Sequence, residues 1–162
     1  EPAYLINHIL GGAGFSSKLM EEVREKRGLA YSVYSYMQPF DRAAILAGQV
    51  ATKNEALGKS LDVIREEIRQ IAEKGVTEED LENAKSYLTG SYALRFDTSS
   101  KIASQLLAIQ VEGLGIDYVN RRNALISAVT LDEVKRVAER LLRPERLIVA
   151  IAGQPKGIEA HQ

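Results

Sequence analysis

The sequence predicts an α+β domain in which several helices are layered on one face of a small, mostly antiparallel β-sheet. Apolar residues recur every three or four positions over most of the chain, as on buried helix faces. Two adjacent runs, residues 30–37 and 43–51, are instead alternating or continuously apolar, and a third such run fills 146–153. With 162 residues, 45% of them hydrophobic, the chain has material for one ordinary core, placed here over 1–153, followed by a polar tail over 154–162.

Leu5, Ile6, Ile9 and Leu10 sit at helical spacing behind Pro2, which a first helical turn tolerates, and Gly11-Gly12 ends that segment. A serine of Phe15-Ser16-Ser17 is placed to cap a second helix through Leu19, Met20 and Val23 to about Arg27, with Gly28 as its stop. The tyrosine-rich run Ala30 to Met37 and the apolar run Ala43 to Ala51, separated by Pro39-Phe40-Asp41-Arg42, read as a hairpin. Thr52-Lys53-Asn54-Glu55 has capping-box form and precedes Leu57, Leu61, Ile64, Ile68 and Ile71, a helix reaching Gly75. Thr77-Glu78-Glu79-Asp80 opens the next helix, where Gly90 predicts a weak point or bend. Helices follow over 98–111 and 117–128. A third capping box, Thr130 to Glu133, opens one that ends near Arg143-Pro144. The run Arg146 to Gly153 reads as a buried strand paired with the hairpin. Three strands make a thin sheet, and the chain opens without a methionine directly into an apolar segment, so it reads as truncated at its first strand.

Charge names no partner. Twenty-one Lys and Arg stand against 22 Asp and Glu, which gives no chain-wide attraction to nucleic acid or anionic membrane. No apolar run approaches the roughly 20 residues that span a bilayer. Zero cysteines exclude disulfides and thiolate metal sites. The compartment stays open between bacterial cytoplasm and periplasm, with a lean to the periplasm.

Only two histidines exist, His8 and His161, and neither belongs to an H-x-x-E-H type cluster able to hold zinc. No cofactor or metal is therefore assigned to this chain. His8 reads as a packed or surface histidine and His161 as part of the tail. The stretch Leu10 to Lys18 is glycine-rich but lacks a G-K-[ST] ending, and Ser17 stands where a dinucleotide fingerprint needs glycine, so a tight turn is preferred. Arg121, Arg122, Lys135, Arg136, Arg140 and Arg143 are interleaved with carboxylates, the pattern of a solvated helix face.

The distinctive segment is Phe15 to Val33, in which a helix ends, turns at Gly28 and enters a strand. Arg24 in the last turn and Tyr31 at the strand start can then face one cleft. A guanidinium fixes a peptide carbonyl or carboxylate, and a phenol donates to an oxygen that becomes negative. From spacing alone, plainer roles are favoured: Arg24 serving the helix dipole and Tyr31 an ordinary strand residue.

The pattern L-G-G-x-G-F-S-S-x-L, continuing through Val23-Arg24-Glu25-Lys26 to Gly28-Leu29-Ala30-Tyr31-Ser32-Val33, resembles the signature of the second domain of insulinase/pitrilysin-type zinc metallopeptidases, the group that includes mitochondrial processing peptidase. Lys74 to Leu81, Ala84-Lys85 and the 146–153 run resemble the same domain in order. The resemblance implies a zinc-free C-terminal domain that faces a zinc-bearing N-terminal domain or paralogous subunit across a chamber for unfolded peptides. It implies that Arg24 and Tyr31 are the pair lent to the cleavage site, and that this chain is inactive alone. It reverses the preference for plainer roles. The implied partners are a peptide substrate and the zinc-bearing counterpart, in a homo- or heterodimer or a two-domain subunit. A catalytically silent interaction or scaffold domain of the same family is the alternative.

Overall fold

In the computed structural model, which describes residues 1–40, 42–156 and 158, helix α1 (Pro2–Asn7) starts at a proline whose missing N–H would have had no partner there. It runs into a π-helical turn, His8–Gly12. Leu5, Ile6, Ile9 and Leu10 are buried, as their spacing requires. Gly11 explains part of the glycine-rich stretch: a Cβ there would lie 2.5 Å from the backbone nitrogen of Ser35. The buried Ser35 hydroxyl donates to Oδ1 of Asn7 at 2.9 Å, fixing helix to strand at that point. The tight turn expected over this stretch is present, with Gly14 at φ 59°.

Strand β1 (Ala30–Phe40) pairs antiparallel with β2 (Ala43–Thr52), in the register Val33 to Val50, Tyr36 to Ala47 and Phe40 to Ala43. Asp41, in the predicted turn, lies outside the described residues. Helix α2 (Leu57–Lys74) buries Leu61, Ile68 and Ile71. Its predicted capping box does not form. Thr52 instead belongs to β2 and donates its hydroxyl to the Leu29 carbonyl, and a turn over 53–56 delays the helix start. Helix α3 (Glu78–Gly90) has the predicted box, with Thr77 Oγ1 accepting from Asp80 N at 3.0 Å. Gly90 ends this helix rather than bending it, since the residue least suited to a helix interior is tolerated at its end. Helices α4 (Ser99–Val111), α5 (Tyr118–Ala128) and α6 (Leu131–Leu141) follow, and Thr130 and Glu133 cap α6 reciprocally.

The core joins α1, the 20–25 segment, β1, α3, α5 and α6 through Leu5, Val23, Val33, Leu81, Ile126 and Val134. Two further expectations need correction. Residues 147–152 form no strand and pair with none among the described residues, so the described sheet has two strands, not three. An apolar run shows that a segment wants burial, not that a partner edge is within reach. Arg122 does not lie on a solvated face. It is only 4% exposed, its guanidinium over Tyr92 at 4.2 Å, with Nη1 donating to the Leu88 carbonyl at 3.1 Å. Its neighbour Arg121 does follow the solvated pattern, paired with Asp117 at 3.1 Å. The tail is described only to Lys156 and at Ile158, and His161 lies outside the described residues.

Candidate functional site at the helix-to-strand junction

Ser17, fully buried, donates to the Gly14 carbonyl at 2.7 Å and accepts from Met20 N at 3.4 Å, so the helical segment begins where the sequence places a cap. From Met20 to Glu25 the segment is π-helical rather than α-helical. π-helical turns occur mostly as single insertions and are frequent at functional sites. Leu19, Met20 and Val23 are buried and hold this segment on the core. Gly28, at φ 60°, donates to the Arg24 carbonyl at 2.8 Å, and Leu29 N reaches the Val23 carbonyl at 2.9 Å. A left-handed residue is needed to close the turn this way, which is why glycine stands there.

The strand then opens irregularly. Ala30 pairs with Thr52, but Ser32 pairs with Ala51, so Tyr31 is the extra residue of a β-bulge. A bulge takes its residue out of the ladder and re-aims its side chain. Tyr31 is 67% exposed, and its hydroxyl has no hydrogen-bond partner among the described residues. Arg24 is partly exposed. Its Nη1 lies 2.8 Å from Oε1 of Glu25, and its guanidinium carbon is 4.9 Å from the centroid of the Phe15 ring. Phe15 is itself 70% exposed on the turn between Gly14 and Ser16. The two predicted residues are thus both presented to solvent from the same junction, with no hydrogen bond between them among the described residues.

The other charges of the segment are engaged with one another. Lys26 reaches Glu21 at 2.8 Å and Glu22 at 2.5 Å, and Arg27 reaches Glu22 at 2.5 Å. Hydrogen bonds from Lys26 and then Arg27 hold the Glu22 carboxyl below the usual carboxylate range. Among the described residues Arg24 has only the exposed Glu25 as an ionic partner, and an exposed pair of this kind contributes about 0–1 kcal/mol. A ligand carbonyl or carboxylate can therefore replace Glu25 at little cost. Phe15 lies within the distinctive segment of the sequence but is assigned no contact with Arg24 there, and the bulge is not foreseen. The available signal for Phe15 was an aromatic residue between Gly14 and Ser16, off every helical period.

His8 does not join this site. His8 is buried and stacked on Tyr87 at 5.2 Å between ring centroids. Burial, and then the charge of Arg95, push its pKa down. No group of three His, Asp or Glu residues among the described residues is placed to hold a metal ion.

The sequence profile described as the peptidase M16 inactive domain matches residues 1–88, a stretch that contains both Arg24 and Tyr31. The chain belongs to the peptidase M16 inactive-domain family. This M16 domain is 33% identical over 150 residues to an uncharacterized zinc protease of Streptomyces coelicolor, a match covering 90% of the domain and 32% of that protein. It is also 33% identical over 126 residues to the non-peptidase homolog YmxG of Helicobacter pylori, covering 78% and 29%. The crystal structure of a peptidase M16 inactive domain from Pseudomonas fluorescens superposes with a TM-score of 0.79 at 30% identity, over 90% of this chain and 34% of that one. The chain spans about a third of the length of the curated relatives it matches.

Proposed function

We propose that this M16 inactive domain binds extended polypeptide at the junction of residues 15–31 and completes a peptide-cleavage site whose zinc is held by a different domain or subunit. The observation that carries this reading is the bulge at Tyr31, which exposes a phenol without a hydrogen-bond partner among the described residues, on a strand entered directly from the helical segment whose Arg24 pairs with the exposed Glu25. Arg24 would take a substrate carbonyl or carboxylate in place of Glu25, its fork favouring two-point contact. Tyr31 would donate its hydroxyl proton in a hydrogen bond to the scissile carbonyl oxygen as that oxygen gains negative charge. Such a donor is most effective where the counterpart excludes water, so neither residue is expected to act in the isolated chain. The partners on this reading are a peptide substrate and the zinc-bearing counterpart, and the test is cleavage by the reconstituted pair with Tyr31→Phe.

A second reading has its own support. The Helicobacter pylori relative is named a non-peptidase homolog, which favours a catalytically silent interaction domain. The two readings separate on the same experiment: a silent domain supports no cleavage with any counterpart, though it still binds peptide or partner.

A further inference from the structure

The carbonyls at the end of the Met20–Glu25 segment are satisfied by backbone N–H groups that follow it, with one exception. Lys26 N donates to the Glu21 carbonyl at 2.9 Å, Leu29 N to Val23 at 2.9 Å and Gly28 N to Arg24 at 2.8 Å. Among the described residues, no backbone N–H from beyond the segment reaches the carbonyl of Glu22. It accepts instead from Arg27 Nη1 at 2.8 Å. The same nitrogen donates to Oε2 of the Glu22 carboxylate at 2.5 Å. Arg27 therefore holds both the main chain and the side chain of Glu22, capping a helix end with a charge-assisted contact.

This clasp closes a loop over residues 22–27, and Arg24 lies inside it. An ion pair between two freely solvated side chains would contribute little. Glu22 is different, because its side chain is only 16% exposed and is also held by Lys26. Lys26 cannot replace the clasp: among the described residues it reaches the carboxylates of Glu21 and Glu22 but no backbone carbonyl. Without Arg27, the Glu22 carbonyl loses its side-chain donor and the last turn loses a fixed point.

The neighbouring helix does not duplicate this hold. Between the segment and α2 lies an open cavity of about 500 Å³, with Glu22 and Arg27 among the residues on one side and Glu66, Glu67 and Gln70 on the other. Among the described residues none of these three bonds to the segment, and Glu66 is engaged with Arg69 and Gln70 of its own helix. The segment's other side-chain anchors, Leu19, Met20 and Val23 in the core and Lys18 on Asp80 at 2.9 Å, all precede Arg24.

We propose that Arg27 is a positioning residue of this junction: by clasping the carbonyl and the carboxylate of Glu22, it fixes the π-helical turn that carries Arg24 and aims Arg24 at the peptide. This rests on the proposed function for what Arg24 contacts, whereas the clasp itself does not. Arg27 touches no substrate. Its effect is to order the turn before binding, so that less conformational entropy is lost when the peptide arrives.

The test has two arms. In the chain itself, Arg27→Met keeps the aliphatic stem and removes the donors. The Gly28 and Leu29 amides, which close the same turn, should then exchange about ten-fold faster, while Leu88 in α3 and Ala138 in α6 keep their protection. Arg27→Lys, still able to donate to both Glu22 oxygens, should restore most of the protection at 28 and 29. In peptide cleavage by the reconstituted pair, Arg27→Met should lower kcat/KM about five-fold when Arg24 is present and have no further effect beside Arg24→Ala, as for two residues acting through one contact. Unchanged exchange at 28 and 29, a loss of protection spread over α3 and α6, or additive effects of the two substitutions would each overturn the proposal. Undiminished cleavage with Arg24→Ala would instead overturn the proposed function, and the aiming role with it, while exchange in the chain itself still decides the clasp.

Discussion

The guanidinium of Arg24 lies over the ring of Phe15, 4.9 Å from its centroid, although the two are nine positions apart on either side of the Ser17 cap. An exposed arginine pays a large rotamer entropy on binding, and a ring that already restrains it lowers that cost. Phe15→Leu is expected to raise KM in the reconstituted enzyme a few-fold with little change in kcat, about 0.5–1 kcal/mol, and Phe15→Tyr to restore it. Steady-state kinetics on the two variants checks this.

Arg24→Lys keeps the charge and loses the planar fork. On the proposed function it should lower kcat/KM about ten-fold, near 1.4 kcal/mol. The thermal midpoint should hardly move, because the Glu25 pair being disturbed is exposed.

At Gly11 the π-helical turn that follows α1 packs closely on Ser35 of β1. Gly11→Ala would force a methyl against Ser35 at a 2.5 Å spacing and disturb the Ser35 to Asn7 hydrogen bond. A loss of roughly 1–3 kcal/mol is expected, read by chemical denaturation.

The cap of α6 offers a smaller and independent measure. Thr130→Ala removes the hydroxyl that accepts from Glu133 N and should cost about 1 kcal/mol. Unfolding of this variant should remain a single transition, because α6 buries Val134 and Ala138 in the common core.

His8 links stability to pH. Its folded-state pKa lies below the ordinary 6.5, through burial first and the Arg95 charge second. Above 6.5 the ring is neutral in both states and the full stability is present. As pH falls through that value the unfolded chain binds the proton first, so stability declines until the folded ring is protonated too. His8→Phe should flatten this decline between about pH 7 and pH 5, measured as denaturant midpoints across that range.

The helices were legible because their faces and caps are local: the Thr77 and Thr130 boxes formed as read, and the α2 periodicity matches its buried residues. The box at Thr52 failed because a tertiary partner, the Leu29 carbonyl, competes for that hydroxyl. Residues 146–153 misled for a related reason, since strand pairing depends on an edge supplied by other parts of the polypeptide. Arg122 shows the limit of charge pattern alone, because the Tyr4 and Tyr92 rings that cover it are far away in sequence. At the candidate site, sequence placed Arg24 and Tyr31 at a helix end and a strand start. The one-residue slip that makes Tyr31 a bulge arises from pairing with β2 and could not be read from β1.

The most direct measurement is peptide cleavage by this chain alone, by its zinc-bearing counterpart alone, and by the two mixed, with Tyr31→Phe as a fourth sample and zinc determined on each. The account predicts cleavage only in the mixture, zinc only on the counterpart, and at least about a ten-fold loss of turnover with Tyr31→Phe. An undiminished rate with Tyr31→Phe, or cleavage by the isolated chain, would contradict it.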